Sequence, residues 1–169
     1  MIKIKKNIYY LCTFIISLSI ISCNSGDDEV DTAWKNTNEA AFNALKNDTA
    51  YQKASIPNGG NENYVYYKII ESGSKDSAAI AITGNTISTA YTGKRFVDDV
   101  QFDSSTNFKF TIKKGDVIDG WLIAIQNMRP GDRWEVVIPW HLAYRHSGNA
   151  GIPGYTCLHF DIHLKEIIE

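Results

Sequence analysis

The end of the chain alternates with a period of two. Leu158, Phe160, Ile162 and Leu164 fall on one side, and His159, Asp161, His163 and Lys165 on the other. That is the pattern of a strand with one face in a core and one toward water. Residues 64–70, 86–92, 108–112 and 133–139 also read as strands, bounded by Gly, Pro, Asn, Asp or Lys-rich turns. Between the third and fourth of these, Val117, Ile118, Trp121, Leu122, Ile125 and Met128 recur at helical spacing. The spacing predicts a helix that opens at Gly115 or Asp116 and stops at Arg129-Pro130-Gly131-Asp132, because proline cannot continue a helix and glycine supplies the turn. A loop is expected over 141–154, and the last strand over 157–167. The resulting fold class is α+β, an antiparallel sheet whose apolar face is covered by one amphipathic helix.

Upstream the pattern changes. Trp34, Ala41, Phe42, Ala44 and Leu45 lie on or near one helical face and predict a helix over 32–54, capped by Asp31 or Thr32 and ended by the turn residues of 56–61. This helical extension, 32–63, is a docking helix, a spacer or a partner-binding piece. Residues 23–31 are polar and acidic and read as a flexible tether. Before them, Lys3, Lys5 and Lys6 precede an apolar stretch over 8–21, and Ser22 precedes Cys23. That is the layout of a secretory signal peptide over 1–22, too short and too soon polar for a membrane span.

Composition adds limits. The 169 residues are 44% hydrophobic and 21% charged, enough for one core of ordinary size. The net charge is -2, and loss of residues 1–22 would remove three lysines and no acid, leaving 14 basic against 19 acidic side chains. No basic surplus points to nucleic acid. Loss of residues 1–22 would also leave only Cys23 and Cys157, so a disulfide framework is excluded, and the strand-like neighbours of Cys157 make it a small buried apolar group. The sequence holds no internal repeat, phosphate-cradling glycine loop, Gly-x-Ser-x-Gly elbow or Cys-x-x-Cys, so nucleophilic chemistry has no visible home. His159, Asp161 and His163 share a strand face, but a zinc site would need a further ligand or water; the alternative is the solvent side of an edge strand. His141 and His146 fall in the loop. Tyr91, Phe102, Phe108, Phe110, Trp121, Tyr144 and Phe160 come from separate elements that one sheet and one helix would gather, either as plain core or as the walls of a hollow.

The order of short motifs is more specific. Tyr91-Thr92-Gly93, Phe102-Asp103-Ser104-Ser105, Phe108-Lys109-Phe110, Val117-Ile118-Asp119-Gly120-Trp121, Met128-Arg129-Pro130-Gly131-Asp132-Arg133, Ile138-Pro139 with Leu142-Ala143-Tyr144, Gly151-Ile152-Pro153 and Leu158-His159-Phe160-Asp161 follow one another over 64–169. This series resembles the FK506-binding-protein (FKBP) family of peptidyl-prolyl cis-trans isomerases. The resemblance implies a twisted antiparallel sheet wrapped around one short helix, with a pocket between them. It implies Trp121 as the floor beneath a bound proline ring, with Tyr91, Asp103 and Tyr144 beside it as the other residues of the catalytic set. It implies Phe102, Phe110, Val117, Ile118 and Phe160 as substrate-binding walls, Ile118 also offering its backbone N–H, and Ile152 as part of the rim. The implied ligands are proline-containing polypeptide clients and FK506-like macrolides; no cofactor or metal is implied. Ile20-Ile21-Ser22-Cys23 resembles a bacterial lipobox, which implies lipidation at Cys23 and a lipid-anchored protein of the bacterial outer membrane, facing periplasm or cell surface. The acidic run after Cys23 resembles the surface-export signals of some Bacteroidetes lipoproteins.

The chain also departs from the family's pattern. Arg145 stands where the family usually has glycine, and His141 where it often has an acid. The segment between Ser105 and Phe108 is only Thr106-Asn107, and the loop over 148–153 is short. The turn after Gly93 reads Val97-Asp98-Asp99-Val100 rather than the common Asp-Gly. These changes are expected to cluster on the pocket rim.

Overall fold

Strand and helix follow one another as the patterning requires, with one addition at the amino end. The computed structural model describes residues 26–56, 60–73 and 80–168. The elements are α1 (Gly26–Ala44), β1 (Gln52–Ser55), β2 (Tyr64–Glu71), β3 (Thr86–Arg95), β4 (Gln101–Thr111), α2 (Asp119–Ile125), β5 (Arg133–Ile138) and β6 (Leu158–Ile167), with short 3-10 turns at Leu45–Asn47 and Trp140–Leu142. Six strands form one sheet in the order β1-β2-β5-β6-β3-β4, antiparallel at every pairing.

β6 buries Leu158, Phe160, Ile162 and Leu164 and turns the intervening residues outward. Its buried face joins Val65, Ile87, Val136 and Ile138 from the other strands and Trp121, Ala124 and Ile125 from α2 in the main core. The helix is shorter than its periodicity predicts. Ile118 remains extended at φ -62°, ψ 149°, and the chain tightens after Ile125, where the Asn127 and Met128 N–H groups donate to the carbonyls three residues back. Met128 keeps its place in the core although it lies past the helix.

The sheet is covered on its other face too. Phe42, near the end of α1, and Leu45, in the 3-10 turn after it, pack with Tyr66, Val137 and Cys157 in a second apolar cluster. β5 thus has apolar cover on both sides, which accounts for the unbroken run Val136-Val137-Ile138. Polar contacts fix the helix as well. The Trp34 indole N–H donates to Thr156 Oγ1 at 2.9 Å, and Trp140 Nε1–H donates to Glu39 Oε1 at 3.1 Å. Fully buried Asn38 donates to the Trp34 carbonyl and accepts from the Cys157 N–H at 2.8 Å. The extension is therefore a docking helix. Cys157 is buried, as its context predicts, and burial pushes its thiol pKa up to about 12.

The expected boundaries need three corrections. α1 begins at Gly26, so 26–31 is helical rather than a tether. The helix does not reach 54: after the 3-10 turn, Gln52–Ser55 pairs with β2 as an edge strand. β4 begins seven residues earlier than predicted, at Gln101 rather than Phe108. The proposed signal peptide and Cys23 lie outside the described residues.

Asn38→Ala removes the acceptor of the buried Cys157 N–H, so it is expected to cost about 1–3 kcal/mol, read as a lower midpoint in urea denaturation. A variant with the parental midpoint would show that the docked helix does not support the sheet.

Candidate functional site

Glycine at 120 sets the depth of the site. A Cβ there would meet Ile138 Cγ2 at 2.2 Å, so only a bare backbone lets the first turn of α2 lie this close to β5. The next residue, Trp121, is thereby carried into the concave side of the sheet and is 4% exposed. Its indole meets Tyr91 at 5.0 Å and 86°, Phe160 at 5.4 Å and 89°, and Phe108 at 6.3 Å and 84° between ring centroids and planes. Such edge-to-face pairs set positive ring edges against negative faces.

The rings enclose an open hollow rather than filling it. Its volume is about 250 Å³, and it is lined by Tyr91, Phe102, Asp103, Phe108, Asp116, Val117, Ile118, Trp121, Tyr144 and Phe160. The structure thus brings together eight of the ten residues expected there. Ile152 is not on the rim: it is 5% exposed and packs in the main core. Phe110, stacked on Phe108 at 5.2 Å, meets the Trp121 indole at 6.1 Å without lining the hollow, and Phe108 takes the lining position. Both phenylalanines have the same parity along β4, so alternation alone does not separate them. Asp116 at the mouth was not foreseen, since it reads as an ordinary turn acid.

A bulge helps to aim the wall. β3 pairs Thr89 with Phe108 but Tyr91 with Ser105, so β4 carries an extra residue across Thr106-Asn107. The segment that is short for the family is a bulge inside a continuous strand, and bulges re-aim side chains beside sites. At Gly93 a Cβ would stand 2.5 Å from Phe160 Cε1 and 2.9 Å from Phe102 Cζ; glycine lets these two rings meet over the backbone.

One hydrogen bond crosses the floor's edge. The Tyr91 hydroxyl donates to Asp103 Oδ2 at 2.6 Å, and Asp103 Oδ1 accepts from the Ser104 N–H at 2.8 Å. Burial raises the Tyr91 pKa above its ordinary value, and the Asp103 carboxylate raises it further, through the hydrogen bond and its charge. The phenol stays protonated and acts as a donor. At the rim Arg145 has φ 58°, a left-handed conformation, and its guanidinium donates to Asp119 Oδ2 at 3.1 Å.

The metal alternative finds no support among the described residues. Arg133 holds Asp161 through two bonds of 2.9 and 2.8 Å. His159 Nε2 is buried without a partner, and burial lowers its pKa. No group of three or more His, Cys, Asp or Glu among the described residues is placed to hold an ion.

Comparison with known proteins converges on one family. The family model for the FKBP-type peptidyl-prolyl cis-trans isomerase matches residues 78–165, a little over half of the chain. FK506-binding protein 4 of Emericella nidulans is 43% identical over 90 residues, covering 52% of this chain and 19% of that protein. Macrophage infectivity potentiator of Trypanosoma cruzi is 46% identical over 80 residues, covering 46% of this chain and 40% of that protein. The chain therefore spans less than half the length of these two curated relatives. A peptidyl-prolyl cis-trans isomerase from Pseudomonas syringae pv. tomato has the same fold, with a TM-score of 0.69 at 24% identity, covering 82% of this chain and 96% of that one.

Gly93→Ala forces the Phe160 and Phe102 rings apart, an overpacking that costs roughly 1–3 kcal/mol. A lower melting temperature and an altered near-ultraviolet circular dichroism spectrum are expected. Unchanged values would show that the two rings have slack.

Proposed function

The chain belongs to the FKBP-type peptidyl-prolyl cis-trans isomerase family, and from that premise we propose that it isomerises X-Pro bonds held in the aromatic hollow. The observation that carries this reading is Trp121, nearly buried yet forming part of an open, ring-walled cavity of about 250 Å³. That is below the roughly 300–1,000 Å³ of pockets for drug-sized ligands. It suits a proline ring and its neighbours, with a macrolide of the FK506 type resting partly on the rim.

Rotation about the peptide bond must overcome about 18–20 kcal/mol of resonance. The twisted amide has less charge separation than the planar one, so exchanging water for aromatic walls penalises it less. That differential is what lowers a barrier. A proline ring over the indole of Trp121 is gripped by Phe160, Phe108 and Tyr91. The Ile118 N–H, just before α2, and the Tyr144 hydroxyl serve as donors to the flanking carbonyls. Asp103 acts through Tyr91, holding the phenol against the floor. No nucleophile takes part, and the only bond that changes is the partial double bond of the amide.

We propose further that the clients are exported polypeptides and that Cys23 is acylated, which anchors the protein at the outer membrane facing the periplasm or the cell surface. The lysine-led apolar segment ending in Ile20-Ile21-Ser22-Cys23 supports this. Cys23→Ser is expected to move the protein from the membrane to the soluble fraction on cell fractionation. Equal membrane recovery would remove the anchor from the proposal. A second reading, client binding without useful catalysis, is favoured by the Arg145–Asp119 pair at the rim.

A protease-coupled assay on a proline tetrapeptide separates the readings. Catalysis above the spontaneous rate is expected, with Trp121→Leu reducing kcat/KM at least tenfold, or about 1.4 kcal/mol, while far-ultraviolet dichroism is retained. A wild-type rate equal to the spontaneous one ends the isomerase reading; saturable peptide binding at that rate selects the second.

A further inference from the structure

A furrow begins where the aromatic hollow ends. Ile118 lines the hollow and the next residue, Asp119, lines the furrow; on the facing loop Tyr144 lines one and Leu142 the other. From Asp119 the furrow follows α2 past Leu122 and Ile123 to Gln126, with Ile56 and Ile112 among its walls and a volume of about 360 Å³. An adjoining depression of about 460 Å³ shares Ile56, Thr83 and Gln126 with it and carries it on to Ile82. The helix advances about 10 Å from Asp119 to Gln126, the reach of about three extended residues.

Apolar side chains on this surface stand among Asn63, Thr83, Lys113, Lys114, Asp119 and Gln126. Ile82 is 61% exposed, and half-buried Leu122 and Ile56 line the furrow. Contiguous exposed apolar surface marks a binding surface more often than scattered residues do. Lys113 and Lys114 stand on the rim, which favours an acidic flank on whatever lies there.

We propose that the furrow is a second subsite for the same client polypeptide. With its proline over Trp121, the client crosses the first turn of α2 and lays an apolar side chain, about three to four residues away, between Leu122, Ile56 and Ile82. The occupant is the client because the furrow neighbours the hollow, Asp119 following Ile118 and Leu142 lying two residues before Tyr144, so a segment leaving the hollow over the Arg145–Asp119 pair and the first turn of α2 reaches it. The inference rests on the proline-binding reading of the hollow. It adds a preference that the hollow alone does not give: substrates are selected by an apolar residue at a set distance from proline.

The test compares a proline tetrapeptide with longer peptides that share its core. These carry either Leu or Ser three to five residues from the proline, in separate sets for the two sides. On one side, the Leu peptide is expected to exceed its Ser counterpart about tenfold in kcat/KM, equivalent to about 1.4 kcal/mol. Leu122→Glu and Ile82→Glu are each expected to bring that ratio toward one. The ratio is the readout because a general loss of activity does not move it, and exposed Ile82 can be replaced without disturbing the core. Equal turnover of Leu and Ser peptides on both sides, or a ratio that survives both variants, overturns the subsite. Fluorescence anisotropy with the same long peptides keeps the two readings apart. Failure to turn over the tetrapeptide sinks the isomerase alone, whereas equal binding of Leu and Ser peptides sinks the furrow alone.

Discussion

The missing side chain at Gly120 lets α2 rest directly on Ile138 of β5, and the depth of Trp121 follows from that contact. Any larger residue would lift the first turn of the helix off the sheet, and Trp121 would rise with it. Held at this depth, the indole is in contact with Tyr91, Phe108 and Phe160, rings borne by three different strands. A collapsed core would have closed over the same rings. Here Val117 and Ile118 stay extended before the helix and leave room above the indole, so aromatic packing and an open cavity coexist.

The other face of the sheet is secured by different means. The core around α2 is almost wholly apolar, whereas α1 combines a small apolar cluster with the amide of Asn38, the indole of Trp34 and the carboxylate of Glu39. Those polar groups bond to Thr156, Cys157 and Trp140, in the stretch of chain that also contains Tyr144. Docking of α1 therefore bears on the loop that supplies one wall of the hollow. Hydrogen bonds of this kind are directional, so they fix where the helix sits, while the contact of Phe42 with Tyr66, 5.0 Å between centroids, supplies apolar burial.

Periodicity made β6 and α2 legible because each has one face against a core and one away from it. The order of short motifs made the hollow legible, since eight of its ten lining residues follow from those motifs. What stayed hidden depended on tertiary context. β1 is too short to show alternation and exists because β2 offers it an edge. Exposed and half-exposed polar residues over 101–107 look like a loop, yet pairing with β3 makes them strand. Phe108 rather than Phe110 lines the hollow, and their equal parity along β4 gives alternation no means of telling them apart. Ile152 sits in a loop by sequence, but the chain turns it inward, where its apolar side chain is favoured.

The rim shows how a residue can depart from its family's pattern and still be held in place. Arg145 occupies a left-handed conformation at φ 58°, which for a residue with a Cβ costs roughly 1–2 kcal/mol. Glycine would avoid that cost. The surrounding structure holds the arginine there regardless: its N–H donates to the Trp140 carbonyl at 2.9 Å, and its carbonyl accepts from the Tyr155 N–H at 2.8 Å. The ion pair with Asp119 is too exposed to offset the strain, since surface pairs contribute about 0–1 kcal/mol. Its effect is positional. It ties the residue after Tyr144 to the first turn of α2, so the loop wall and the helix that carries Trp121 are held together. The arginine therefore bears on the relative position of loop and helix more than on stability.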